Sequence, residues 1–203
     1  MIRILAASAT ALALSACSIL PDPAPADIIY RLSLDGESVP AKADATVIRI
    51  DRPSSSSMFD SASIIVSPDG RRLSRAAQAK WAEALPLLIQ QSLVDAFSRD
   101  ADIIGVIPSS GTRTDTRVHL TIKNFEAQFD RGEEAAPLAV VRYTATLANA
   151  SDRMLIDTFV TRHEVRADAA RVSEIVEALE QANNAAMMDI VSWVSTADDR
   201  GDI

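Results

Sequence analysis

Hydrophobic and polar positions change period along the chain, and the changes mark out its elements. Ile28 to Leu34 and Thr46 to Asp51 read as short strands, and a third is expected near Ser63 to Ser67. Ser54 to Ser57 is turn-forming, and Pro68-Asp69-Gly70 is a strong turn signal. The period then lengthens. Leu85, Leu88, Ile89, Ser92, Leu93, Ala96 and Phe97 recur at three- and four-residue spacing, which draws one buried face of a helix. Pro86 suits its first turn, where a missing N–H costs nothing. Residues 74–84, with Trp81 among them, are expected as a separate short helix or an approach segment.

Beyond the helix, Ile103 to Ile107 suits a buried strand closed by Pro108-Ser109-Ser110-Gly111. Val118, Leu120 and Ile122 alternate, and the apolar phase then slips by one so that Phe125, Ala127 and Phe129 continue it. Such a slip predicts a β-bulge near Lys123-Asn124. Val141, Tyr143, Ala145 and Leu147 form the next strand, and Asn149-Ala150-Ser151-Asp152 turns it back into Met154 to Val165 as an antiparallel hairpin. Val172, Ile175, Val176, Leu179, Ala182, Ala186, Ile190 and Trp193 keep helical spacing to the end, with Asp168 as the expected N-cap. The predicted order is three strands, a helix, four strands, a helix. That is a single compact α/β domain, a mixed sheet of about six to seven strands packed with two main helices.

The first residues do not belong to that domain. Arg3, an apolar run from Ile4 to Leu14 and the small residues Ser15-Ala16 before Cys17 make a secretory signal peptide. The run is about half of the roughly 20 apolar residues a transmembrane helix needs. Leu14-Ser15-Ala16-Cys17 resembles the bacterial lipobox, in which cleavage precedes a cysteine whose thiol carries a diacylglyceryl group. Residues 1–16 are therefore expected to be removed, leaving Cys17 as a lipidated N-terminus. Cys17 is the only cysteine, so no disulfide within the chain competes for it. Two or three acyl chains hold a protein to a bilayer almost permanently, since each buried methylene adds about 0.8 kcal/mol. Residues 17–27, rich in proline, form an extended tether that can reach roughly 30 Å from the lipid. Residues 28–203 are the folded domain.

Charge narrows the partners. The chain carries a net −8, and loss of Arg3 leaves 19 basic against 28 acidic residues. Phosphate backbones repel such a domain, so nucleic acid is not an expected partner, and docking on anionic lipid headgroups is weakened for the same reason. The acidic residues scatter as a solvated surface would.

In order along the chain, the lipobox at Cys17, Tyr30-Arg31-Leu32, Ile64-Ile65-Val66, Asp69-Gly70 and Lys80-Trp81-Ala82-Glu83-Ala84-Leu85-Pro86 resemble the ABC-type transport auxiliary lipoproteins. Leu120-Thr121-Ile122, Phe125 and the closing Ile190-Val191-Ser192-Trp193-Val194 extend the resemblance over nearly the whole mature chain. The Trp-Ala-Glu-x-Leu-Pro piece is its most specific element. Ser74-Arg75-Ala76-Ala77 departs from the tyrosines the family often shows there. The best-known members are the Pqi-type lipoproteins that accompany MCE lipid-transport systems. The resemblance implies a non-catalytic, periplasm-facing subunit that works with an ABC permease and ATPase and an MCE-domain protein, on phospholipid or another hydrophobic cargo. By the sorting rule of enteric bacteria, Ser18 after the cysteine favours the outer membrane, where the protein would be a docking or terminal component.

Signs of catalysis are sparse. The chain has neither a Gly-x-Ser-x-Gly elbow nor a glycine-rich phosphate loop. His119 and His163 are the only histidines and lack ligand-spaced partners, so no metal or cofactor is expected and the protein is not read as an enzyme. Both are expected as exposed strand residues. A hydrolase alternative would need a cleft joining one of them to a serine and a carboxylate. Another alternative is a structural or assembly lipoprotein of a different envelope machine, such as a secretion pore. Partner contact falls to Trp81, otherwise a core residue, and to Met58 and Phe59 beside the Ser54 to Ser57 run. Trp193 is expected in the core.

Overall fold

The computed structural model describes residues 26–33 and 36–199. The expectations for residues 1–16, for Cys17 and for most of the tether fall outside the described residues, as does that for Leu34. Nine strands are described: β1 (Ile28–Tyr30), β2 (Thr46–Ile50), β3 (Ser54–Ser55), β4 (Ser63–Ser67), β5 (Ser74–Trp81), β6 (Ile103–Val106), β7 (Thr116–Gln128), β8 (Leu138–Asn149) and β9 (Leu155–Arg166). Two helices, α1 (Leu85–Phe97) and α2 (Val172–Asp199), complete the α/β domain.

β7 is the spine of the sheet. Along one edge it pairs antiparallel with β8, and β8 pairs antiparallel with β9. Along the other edge three short parallel strands dock in succession: β2 at residues 116–118, β3 at 121–122 and β4 at 127–128. From these the sheet branches, to β6 beside β2 and to β5 then β1 beside β4. The predicted bulge is present, since the β7–β8 register shifts between Ile122 and Asn124. The two-residue side-chain period explains it: Val118, Leu120 and Ile122 are buried before the slip, Phe125 and Ala127 after it.

Both helices join a single hydrophobic cluster with that face of the sheet, α1 over β2 and β6 and α2 over β7 to β9. Pro86 sits in the first turn of α1, and the Leu85 N–H is given to the Ser61 carbonyl at 2.9 Å. The amide of Gln90, buried beneath the helix, donates to the Ile50 carbonyl at 2.8 Å. Gly105 is where α1 and the sheet come closest: a Cβ there would lie 3.1 Å from Phe97 and 3.4 Å from Ile50.

Three local expectations are corrected. Residues 74–81 are a strand rather than a helix or approach segment, with Trp81 paired to Tyr30. Ser54–Ser55 is a strand rather than part of a turn, because Thr121 and Ile122 offer it a free edge. Asp168 does not cap α2. The first helical bond runs from the Ile175 N–H to the Arg171 carbonyl at 3.0 Å, which puts Arg171 at the N-cap and Asp168 three residues outside.

Candidate functional site

One face of the sheet is covered by helices; on the other, alternate residues of β7, β8 and β9 are half-buried or exposed. Two clusters with chemical potential lie at the borders of these faces.

The first is built on β2, β3 and β7. His119 is half-buried, and its Nε2 lies 3.1 Å from Ser54 Oγ, which is also 3.1 Å from Thr121 Oγ1. Parallel pairing of β3 with β7 makes this meeting, since Ser54 is set directly beside Thr121. Burial pushes the His119 imidazole below its ordinary range, partly offset by the carboxylate of Asp51. Asp51 itself is engaged by the Arg117 guanidinium and by Arg49 Nε at 3.1 Å. Among the described residues no carboxylate hydrogen-bonds the other ring nitrogen of His119. A serine and a histidine therefore meet without the third group that would orient the base.

The second cluster joins β9 to α2. The Nε2 of His163 lies 2.7 Å from Asp189 Oδ2, and Thr161 Oγ1 donates to the same oxygen at 2.7 Å. Burial pushes the Asp189 carboxyl up, but the bonds from His163 and Thr161 outweigh it and hold the group below its usual range. The hydroxyl here serves the carboxylate rather than the imidazole, the opposite of the order a nucleophile requires. Nearby, Trp193 is half-buried rather than in the core. It stacks on Phe159 with centroids 5.5 Å apart, and its indole N–H donates to Asp157 at 2.9 Å. Neither the histidine–carboxylate pair nor this stack was signalled by the sequence, because their members lie 26 to 36 residues apart on different elements.

Of the side chains expected to meet a partner, the structure places two inside. Trp81 is 1% exposed and meets Phe125 edge-on, with centroids 5.9 Å apart. Phe59 is 4% exposed within the same cluster. Their contact area is spent on the core, so the surface they could give a partner is small. Met58 is half-buried at the cluster's edge. Among the described residues no helix is long and apolar enough to cross a membrane. Nor does any group of three or more His, Cys, Asp or Glu there gather at metal-holding distance.

The described residues form one α/β domain built around a single core. The family model of the ABC-type transport auxiliary lipoprotein component matches residues 30–191, and the chain belongs to that family. The fold is similar to that of protein XCC0632 from Xanthomonas campestris, with a TM-score of 0.75 at 20% identity over 86% of this chain and 98% of that one. It is also similar to the crystal structure of an uncharacterized protein, with a TM-score of 0.66 at 14% identity over 84% of this chain and 99% of that one. No curated protein matches the chain.

Proposed function

We propose that this protein is the non-catalytic lipoprotein subunit of an ABC transporter of the MCE type, moving lipid between the inner and outer membranes. The observation that carries the reading is the family match over residues 30–191. Acylated Cys17 fixes the chain to the inner leaflet of the outer membrane, and the tether lets the domain range about 30 Å into the periplasm. There the domain caps or recruits the periplasmic end of the transporter, together with its MCE-domain protein. The tether enters at β1, on the margin of the sheet, where Ile28 and Ile29 leave most of their side chains exposed. The anchored end of the domain thus carries apolar surface, consistent with docking by shape rather than by charge.

Exchange of radiolabelled phospholipid between the two membranes tests this. Deletion of the gene slows exchange; the wild-type gene restores it and Cys17→Ala does not. Exchange at the wild-type rate in the deletion strain would contradict the reading.

A further inference from the structure

The sheet's open face carries a depression of about 320 Å³ lined by Arg117, His119, Thr146, Ala148 and Arg153. None of these is acidic, although the whole chain carries a net −8. Depressions of comparable size beside α2 include Glu177 and Glu180 in one case and Asp189 in the other. Register explains the gathering. Arg117 stands opposite Ala148 and Ala148 opposite Leu155, while His119 stands opposite Thr146. Directly opposed residues of an antiparallel ladder share a face. Arg153 joins them from the β8–β9 turn, which it holds in the left-handed conformation at φ 64°.

The lining itself is basic: it holds two arginines and no carboxylate. The single carboxylate of Asp51 answers both Arg49 and Arg117, and no carboxylate lines the depression to answer Arg153. Beside these cations lies an apolar lip. Met154 is 70% exposed, Leu155 60% and Val160 53%, and Leu155 and Val160 stand opposite Ala148 and Thr144 on the same face.

We propose that this depression binds the phosphate of an anionic amphiphile, with Arg117 and Arg153 toward the phosphate oxygens, Thr146 as a hydroxyl donor and the lip taking up the adjoining hydrocarbon. The planar guanidinium fork matches phosphate geometry, and a concave site concentrates the field of its few cations. A long polyanion would meet the acidity of the whole domain. One compact phosphate at contact distance is governed by the groups within about 10 Å. Exposed aliphatic side chains beside the cations distinguish an amphiphile from a bare anion, since each buried apolar Å² adds roughly 25 cal/mol. The part this site would play in transport rests on the function proposed above; the binding rests on these residues alone.

Calorimetric titration of the full-length protein in a neutral detergent tests it, with dihexanoyl phosphatidylglycerol and inorganic phosphate as separate probes. Wild type is expected to bind the lipid at least tenfold more tightly than inorganic phosphate. Arg153→Gly suits the left-handed backbone, so the fold is retained. It is expected to weaken lipid binding about tenfold, the loss of one charge-assisted hydrogen bond. Equal affinity for the two probes would overturn the amphiphile in favour of free phosphate. Binding unchanged in Arg153→Gly, or heats no larger than partition into protein-free detergent, would overturn the site. Binding that persists in a protein that captures no transporter would uphold the site and count against the transport reading alone.

Discussion

The phenol of Tyr143, on β8, donates a 2.8 Å hydrogen bond to Asn183 Oδ1, on α2, and both side chains are wholly buried. Burial pushes the phenol well above its ordinary pKa, so it stays a donor throughout the physiological range. Among the described residues the Asn183 amide nitrogen has no hydrogen-bond partner, so this bond is the side chain's one polar contact there. Tyr143→Phe orphans the amide and is expected to cost about 1–3 kcal/mol, whereas Tyr143→Phe with Asn183→Leu recovers much of it because no buried polar group is left unpaired. Urea unfolding followed by circular dichroism measures both. A double variant less stable than the single would show that the pair is not the source of the loss.

Gly105 is fixed by packing rather than by backbone conformation. A methyl there presses on Phe97 and Ile50, both fully buried, so neither side has room to yield. Gly105→Ala is expected to destabilise the domain by about 1–3 kcal/mol through overpacking. Paired with Phe97→Leu it should recover part of that. Thermal unfolding of the two variants reads the difference.

Acid sensitivity is expected at the α2–β9 contact. The Asp189 carboxyl is held below its ordinary range in the folded state by His163 and Thr161, against the opposing effect of burial. A depressed folded-state pKa means that the unfolded chain binds the proton more readily as pH falls. Stability from this group is therefore complete above the unfolded value and lost as pH falls through the lower folded one. Asp189→Asn should flatten that part of the profile, and the gap between wild type and variant should narrow as pH falls through the carboxylate range. Denaturant midpoints from pH 6 to pH 2.5 check it; a constant gap would assign Asp189 no titrating role.

The lipid anchor proposed at Cys17 is expected to be separable from the fold. Cys17 lies outside the described domain, whose core is built from residues beyond it. Cys17→Ala should move the protein from the membrane to the soluble fraction with its unfolding midpoint unchanged. A variant that still sediments with membrane would remove acylation as the anchor.

Elements buried on one face were legible in the sequence. The bulge in β7 could be placed to within a residue because the slip from Ile122 to Phe125 reverses which side chains are buried. The two helices were legible because their apolar stripes run for several turns. β5 was not: Ser74 to Lys80 carries charge and polarity on both faces, and it is a strand because β1 and β4 pair with it on either edge. β3 is two residues long and has no period to read; β7 makes it a strand. Trp81 was ambiguous for a related reason. Its flanking residues are of mixed polarity, and the ring it packs against, Phe125, lies on another strand. The same non-locality hid the His163–Asp189 pair and the basic depression, whose arginines come together only through the register of β7, β8 and the turn after them.

Affinity purification of the full-length, acylated protein from its native envelope in mild detergent, followed by mass spectrometry, bears most directly on the transport role. The account predicts recovery of an MCE-domain protein together with its permease and ATPase. Recovery of a different envelope machine, or of the lipoprotein alone, would contradict it.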